Sequence, residues 1–500
     1  MRTERAEARP RPAPAAPPDR VDVLVIGAGM SGLAIAYQLK RRGIDDFVIV
    51  EKSGGVGGVW RDNQYPGAGC DVPSHLYSFS FAPKADWSRK FAPRDEILDY
   101  FEDVARSFDI VGHCRFNTAV TTLEFDAQAG RWIVTLADGK RVSARSVISA
   151  VGQLSEPFTP DLAGLDRFEG RVMHTARWDR SADLTGQRVA VIGNAASAIQ
   201  LIPIVADQAR TLSVFQRTPN WVIEKPDRTF TRAEHWLFGN LPGYRRLYRT
   251  GSFLIHEMRF AAFRQGSLAA RFTRWQLERK IRKAVPDPAM RETLTPDYAP
   301  GCKRVLLSNT YFQTLAREHV SLVSDPISHL EADAIVTAGG DRIDADTVIL
   351  ATGFKATEFL STLSVTGPDG RTLAEVWGAS PSAYRGVAVA GFPNLFMLYG
   401  PNTNLGHNSI IFMTERQAEY VAAKVERLLS HDLKSLSVRP QAQAAFDARV
   451  QRSLAGTVWA GACPSWYKTE DGRITNNWSG LASAFALTLA RPDQSAWEER

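Results

Sequence analysis

The chain is poor in cysteine and has no long apolar run. Its four cysteines, Cys70, Cys114, Cys302 and Cys463, stand far apart. No two share the Cys-x-x-Cys spacing of a zinc site or a dithiol redox centre, so no metal is expected and the thiols suit a reducing cytoplasm. No run of 18 apolar residues occurs, so no transmembrane helix is expected. Residues 1–20 are rich in Arg, Pro and Ala and lack the apolar stretch of a secretory signal; they read as a disordered tail. There is no strong charge excess either. A net +6 over 500 residues does not argue for nucleic acid and fits anionic small molecules. With 44% hydrophobic and 23% charged residues the composition is that of an ordinary globular protein, and the length implies two or three domains.

What is present is one pattern, used twice. Residues 21–26 (VDVLVI) are a short apolar run ending at Gly27, residues 30–42 carry a helical period, and residues 47–50 (FVIV) are a second run. Residues 188–192 (RVAVI), 196–206 and 212–215 (LSVF) repeat the order. Buried parallel strands alternating with helices predict two doubly wound α/β domains. Residues 146–150 and 347–351 are further strands, each stopping at a glycine, as where a chain passes between two such domains. Residues 228–295 differ, being rich in Arg and aromatics at helical spacing; they predict a helical insertion, either a cap with a solvated face or a surface that touches a membrane. Residues 459–478 read as a folded loop near the active site.

The first turn is Gly27-Ala28-Gly29-Met30-Ser31-Gly32. Its three glycines suit a tight turn, close backbone approach to a pyrophosphate, and helix-on-strand packing, with the phosphates at the helix N-terminus. Glu51 follows Gly27 by 24 positions, where a carboxylate accepts from a ribose 2′-hydroxyl. The second turn is Gly193-Asn194-Ala195-Ala196-Ser197-Ala198, with alanine where the middle glycine would be. Arg217 follows Gly193 by the same 24 positions. A guanidinium in that slot pairs with a 2′-phosphate. The first site is therefore expected to take FAD and the second NADPH.

Between and beyond the turns lie Gly57-Gly58-x-Trp60, Tyr65-Pro66-Gly67-x-x-x-Asp71 and Phe168-x-Gly170-x-x-x-His174-x-x-x-Trp178-Asp179. On these residues the chain resembles the flavin-dependent monooxygenases of the Baeyer–Villiger type, over residues 21–478. Flavin-containing N- and S-monooxygenases are similar but carry Tyr or Phe where this chain has Trp178. The resemblance implies two Rossmann-like domains, an FAD domain from residues 21–155 and 345–500 and an NADPH domain from residues 156–344, the latter with the helical insertion at 228–295. It implies that Arg304 is catalytic with Asp71 as its partner, and that Lys303 joins Arg217 on the 2′-phosphate. Gly58, Trp60, Asp71, Tyr77, Val120 and Asn402 would lie at the flavin; Ser31 and Ser197 belong to the two turns; Trp478 would close over the nicotinamide. Three departures stand out: Ala195 for glycine, Gly69 where many ketone-oxidising members carry Arg, and residues 480–490, more apolar than the resemblance leads one to expect of that tail.

The reaction so implied is NADPH- and O2-dependent insertion of one oxygen beside a ketone carbonyl, through a C4a-peroxyflavin, in a cytoplasmic enzyme. Oxygenation of a sulfide or amine is the alternative. A dithiol reductase would need a cysteine partner for Cys70, which its neighbours in the sequence do not supply.

Overall fold

A computed structural model of the protein describes residues 16–463 and 465–500. Most of the expected tail, residues 1–15, lies outside the described residues, and the first strand begins at Arg20. The first unit is β1 (Arg20–Ile26), α1 (Met30–Arg41) and β2 (Phe47–Val50). β1 is apolar because both its faces are covered, with Val23 and Val25 in one core and Val21, Leu24 and Ile26 in another; β2 pairs with it in parallel on one edge and β6 (Arg141–Ser149) on the other. β3 (Cys114–Arg115) extends the sheet beyond β2. β4 (Val120–Asp126) and β5 (Arg131–Leu136) form an antiparallel meander with the start of β6. Leu395–Met397 pairs in parallel with the last residues of β6, so this sheet is built from two distant chain segments. The short α2 (Val59–Asp62) and the longer α3 (Arg94–Ser107) follow the first unit. α1, α3 and the helix Ile410–Ser430 share one apolar core against the sheet.

The second sheet holds β7 (Arg171–His174), β8 (Arg188–Ile192) and β9 (Thr211–Phe215), with α4 (Ala196–Ala206) between the last two. Its order is Val320–Val323, β9, β8, Thr347–Leu350, β7, and every pair is parallel. This corrects the expected boundary at residues 344 and 345. Thr347–Leu350 bonds to both β8 and β7, so the chain leaves the second sheet only after Leu350. A buried apolar run that ends at a glycine reads the same in either sheet, which is why the sequence misplaced it.

Two linkers join the sheets and run side by side. Phe158 N–H donates to the Gly353 carbonyl and Lys355 N–H to the Glu156 carbonyl, both at 2.9 Å.

The insertion consists of α5 (Arg232–Asn240), α6 (Tyr244–Met258), α7 (Leu268–Ala284) and a short helix Pro288–Leu294. Thr231 and Glu234 close a capping box on α5, and Ser267 caps α7. Although expected as part of the second domain, the insertion spans both cores. Phe238, Tyr244, Tyr248 and Phe253 of α5 and α6 pack with the first sheet's core, and Leu277 and Ile281 of α7 with the second's. The apolar stretch near the C-terminus is the helix Ala482–Ala490, whose Ala482, Phe485 and Leu489 are buried in the first core.

Candidate active site

Steric limits define the first turn. At Gly27 (φ +103°) a Cβ would lie 2.8 Å from the Ala150 carbonyl oxygen, and at Gly32 it would lie 2.0 Å from that of Gly27. Gly29 is extended (φ −75°, ψ −169°), so its conformation does not demand glycine. A Cβ there would meet Gly58 Cα at 3.5 Å, an ordinary contact; the tighter position is Gly58 (φ +54°), whose Cβ would stand 3.0 Å from Gly29 Cα. α1 has no side-chain cap, and Ser31 is buried in its first turn, so the leading N–H groups are free for a phosphate. Glu51 is buried at the end of β2, where its carboxylate accepts from the N–H of Ala28 (2.7 Å) and of Ser53 (2.8 Å). These two bonds fix the acid beside the turn. Trp60 donates its indole N–H to the Tyr77 hydroxyl at 3.0 Å, and burial holds the Tyr77 phenol above its usual pKa. Val120 opens β4, with its side chain in the core.

The second turn repeats the first. At Gly193 (φ +109°) a Cβ would stand 2.5 Å from the Ala351 carbonyl oxygen. Ala195 has φ −82° and ψ −162°, close to the backbone of Gly29, and its methyl is exposed. Ala198 is fully buried, and Ser197 lies in the first turn of α4. The Asn194 amide donates to the Gln216 side chain (3.0 Å) and the Thr218 carbonyl (2.9 Å), tying the turn to the end of β9. Arg217 stands exposed there. Lys303 Nζ donates to Thr218 Oγ1 at 2.6 Å and lies over the Tyr298 ring. Burial, and then the Arg217 charge, hold the Lys303 ammonium below the usual lysine pKa. Two cations therefore share one spot at the strand end, a setting for a dianion.

The loop after the first turn leans on the helix of the second. At Gly67 (φ +83°) a Cβ would meet the Gln200 carbonyl oxygen at 2.6 Å. Tyr65 donates its hydroxyl to Gln200 Oε1 (2.8 Å), and Gln200 Nε2 donates to the Gly69 carbonyl (3.0 Å). The same loop presents Asp71, whose Oδ1 accepts from Arg304 Nη2 at 2.7 Å. Asp71 raises the Arg304 pKa further above its already high ordinary value. The guanidinium is thus both permanently charged and oriented.

Several contacts were not legible in the sequence. Burial holds the Tyr399 and Tyr467 phenols above their usual pKa, and both lie close enough to Arg304 for its charge to oppose part of that rise. Cys302, beside Lys303, is joined to Cys463 in a disulfide, a pairing that the sequence spacing did not announce. A separation of 161 residues carries no spacing signal. Cys70 and Cys114 are buried and free, their thiols pushed up to about 12, chiefly by burial. A thiol so protonated is no redox nucleophile, which counts against a dithiol reductase.

Two expected ligand residues have other occupations. Asn402 spends both amide hydrogens on the carbonyls of Ile474 and Asn477. Trp478 is buried among Phe446 and Phe485 and donates its indole N–H to the Leu481 carbonyl, so it stands in the core. The segment of the tail loop that reaches Arg304 is the one around Tyr467. The long fingerprint lies at the linkers. His174 sits against Phe354 and accepts from Ala176 N–H at 3.0 Å, and burial holds its imidazole below the usual histidine pKa. Phe168 fills the space beside Gly170, where any Cβ would clash with its ring. Trp178 packs on the second core, and Asp179 accepts from Arg171 and Ser181.

The pattern of the flavin-binding monooxygenase-like family matches residues 20–365 of the chain. A Baeyer–Villiger monooxygenase of Streptomyces coelicolor is 43% identical over 96% of this chain and 93% of its own length. One from Pseudomonas aeruginosa is 39% identical over 95% and 90%. Among solved structures, a steroid monooxygenase bound to NADP superposes with a TM-score of 0.86 at 34% identity, covering 96% of this chain and 99% of the other. A cyclohexanone monooxygenase from Rhodococcus bound to NADP+ gives 0.87 at 27% identity, covering 97% and 100%.

Proposed function

We infer that this chain, which belongs to the flavin-binding monooxygenase-like family, is an FAD-dependent monooxygenase that uses NADPH and O2 to insert one oxygen beside a ketone carbonyl, giving an ester or lactone. The observation that carries the reading is the Asp71–Arg304 pair, held at 2.7 Å between the loop that follows the first turn and the segment that follows the helical insertion. The first turn fits FAD: its glycines leave a cradle that a Cβ would fill, and Glu51 ends the adjoining strand. FAD, once bound and reduced, supplies the oxygen-activating chemistry.

In this reading each residue has a physical task. Gly27, Gly29, Gly32, Gly58 and Glu51 hold the flavin nucleotide. Gly193, Ala195, Ser197 and Ala198 seat the nicotinamide dinucleotide, and Arg217 with Lys303 selects its 2′-phosphate. Arg304 stabilises negative charge on oxygen during attack on the carbonyl, and it cannot discharge that role by losing a proton. Asp71 keeps the guanidinium in place. The domain that holds FAD comprises the first sheet, and the NADPH domain the second. No described helix is long and apolar enough to cross a membrane. We place the enzyme in the cytoplasm, where NADPH is supplied.

The decisive test is Arg304→Ala. The variant is expected to retain its flavin and its reduction by NADPH, while ester formation falls by a factor of roughly a hundred to a thousand. Product mass measured over ketones and sulfides reads the outcome. Ester formation at the wild-type rate removes the role assigned to Arg304, and oxygen gained only by sulfides moves the chain to the S-oxygenating class.

A further inference from the structure

We propose that the outer faces of α6 and α7 form a docking surface for an anionic lipid bilayer, on which the enzyme rests without crossing it. This goes beyond the oxygenation chemistry and does not depend on it. The exposed large apolar side chains are concentrated here. On α6, Leu247, Leu254, Ile255 and Met258 recur at the spacing of one helical face, and both Leu247 and Met258 are 70% exposed. On α7, Leu268, Phe272 and Trp275 do the same, with Leu268 80% exposed. Trp236 on α5 adds a second exposed indole. The opposite faces of these helices fill the two cores, so the outer stripes are surplus to folding.

Charge selects the occupant. Residues 232–284 contain twelve Lys and Arg against three Glu, whereas the whole chain carries only +6, so everything outside this segment is net acidic. The three carboxylates are already engaged: Glu234 with Arg228, Glu278 with Arg274, and the buried Glu257 with Asn408 and Ser483. Arg271, Arg279, Arg282 and Lys283 line the α7 stripe, and the Arg279 guanidinium lies over the Trp275 ring at 5.6 Å. Aromatic and aliphatic side chains flanked by cations with long stems match an interface of acyl chains beneath anionic headgroups. A second copy of the chain would bring the same positive surface against itself, which disfavours a dimer through this face.

The test is cosedimentation of the FAD-loaded enzyme with vesicles of phosphatidylcholine, alone or with roughly a third phosphatidylglycerol. Binding is expected only to the anionic vesicles, and it should weaken as salt is raised. Arg282→Gln and Lys283→Gln should each lower the partition coefficient about fivefold, the equivalent of about 1 kcal/mol per surface cation. The double change Phe272→Gln with Trp275→Gln should lower it more than either, while NADPH oxidation in solution stays unchanged. Failure to sediment with anionic vesicles overturns the proposal. So does binding that is indifferent to all four substitutions. A dimer in solution that Phe272→Gln with Trp275→Gln dissociates would also overturn it, by giving this face to a second copy.

Discussion

The two dinucleotide turns have nearly one backbone and two different reasons for their residues. Gly27 and Gly193 share a left-handed φ and the same neighbour, the carbonyl at the end of the adjoining strand, Ala150 in one case and Ala351 in the other. They are interchangeable in role. The next positions are not. Gly58 of the following loop packs on Gly29, leaving a Cβ on Gly29 an ordinary 3.5 Å contact but one on Gly58 a tight 3.0 Å, and Gly32 closes on Gly27 so tightly that no Cβ fits. Around the second turn no such loop crosses, and Ala195 and Ala198 are accommodated. The first turn is defined by close packing and the second by the cations at the end of its strand.

The largest expected effect comes from breaking the packing. Gly32→Ala sets a methyl 2.0 Å from a carbonyl oxygen in the rigid heart of the unit. The purified variant is expected to carry less than about a tenth of the wild-type flavin, read from the ratio of flavin to protein absorbance. The mirror change, Ala198→Gly, should leave flavin content intact and cost about 1 kcal/mol of stability in thermal unfolding. Full flavin loading in Gly32→Ala would dissolve the distinction between the turns.

The next effect tests the cations. Arg217→Ala removes a charge-assisted contact worth about 1.5–3 kcal/mol. The preference for NADPH over NADH in kcat/KM should therefore drop roughly tenfold to a hundredfold. An unchanged ratio would leave the second turn without its selector.

Lys303 sharpens this with pH. Its folded pKa lies below the ordinary lysine value, through burial first and Arg217 second. The ammonium form is the one that binds phosphate, so it is present at low pH and lost as pH rises through that depressed value. For NADPH, kcat/KM should begin to fall at a lower pH than an ordinary lysine would give. In Arg217→Ala the fall should move to higher pH, because one of the two causes of the depression is gone. A pH profile that does not move would separate the two cations.

These contrasts follow how the sequence encodes each feature. β1, β2, β8 and β9 were legible because a strand buried on both faces reads as an apolar run, and each is followed by a glycine or, within two positions, by a charged residue with a task. Glu51 and Arg217 were legible because equal spacing from the turn places them at equivalent strand ends. Thr347–Leu350 was legible as a strand, but its sheet was not, since burial on both faces erases the difference between neighbours. The Cys302–Cys463 bond, the Gln200 contacts to Tyr65 and Gly69, and the tyrosines beside Arg304 were hidden because they join segments more than a hundred residues apart or across the domains. Asn402 and Trp478 were assigned to ligands by resemblance, yet each is consumed by the fold's own hydrogen bonds and core. The insertion was legible as helical, but not as a bridge, because an amphipathic period does not say which core receives it.

The smallest expected effect addresses the departure that looks most serious in the sequence. Ala195 stands where the motif has glycine, which reads as a crowded pyrophosphate site. Its backbone, φ −82° and ψ −162°, is one that any L-residue adopts, and the methyl is exposed. Restoring glycine therefore relieves no backbone strain; what it changes, the freedom of the unfolded chain, acts on stability and not on the dinucleotide. Ala195→Gly is expected to leave the KM for NADPH within about twofold of the wild type, a binding change of less than about 0.4 kcal/mol. A tenfold fall in KM would mean that the methyl does press on the dinucleotide, and that the second turn is a hindered copy of the first. A null result would mean that the turns bind phosphate equally well with either residue at this middle position, the strict demand for glycine in the first lying instead at Gly32, whose Cβ would stand 2.0 Å from the Gly27 carbonyl oxygen.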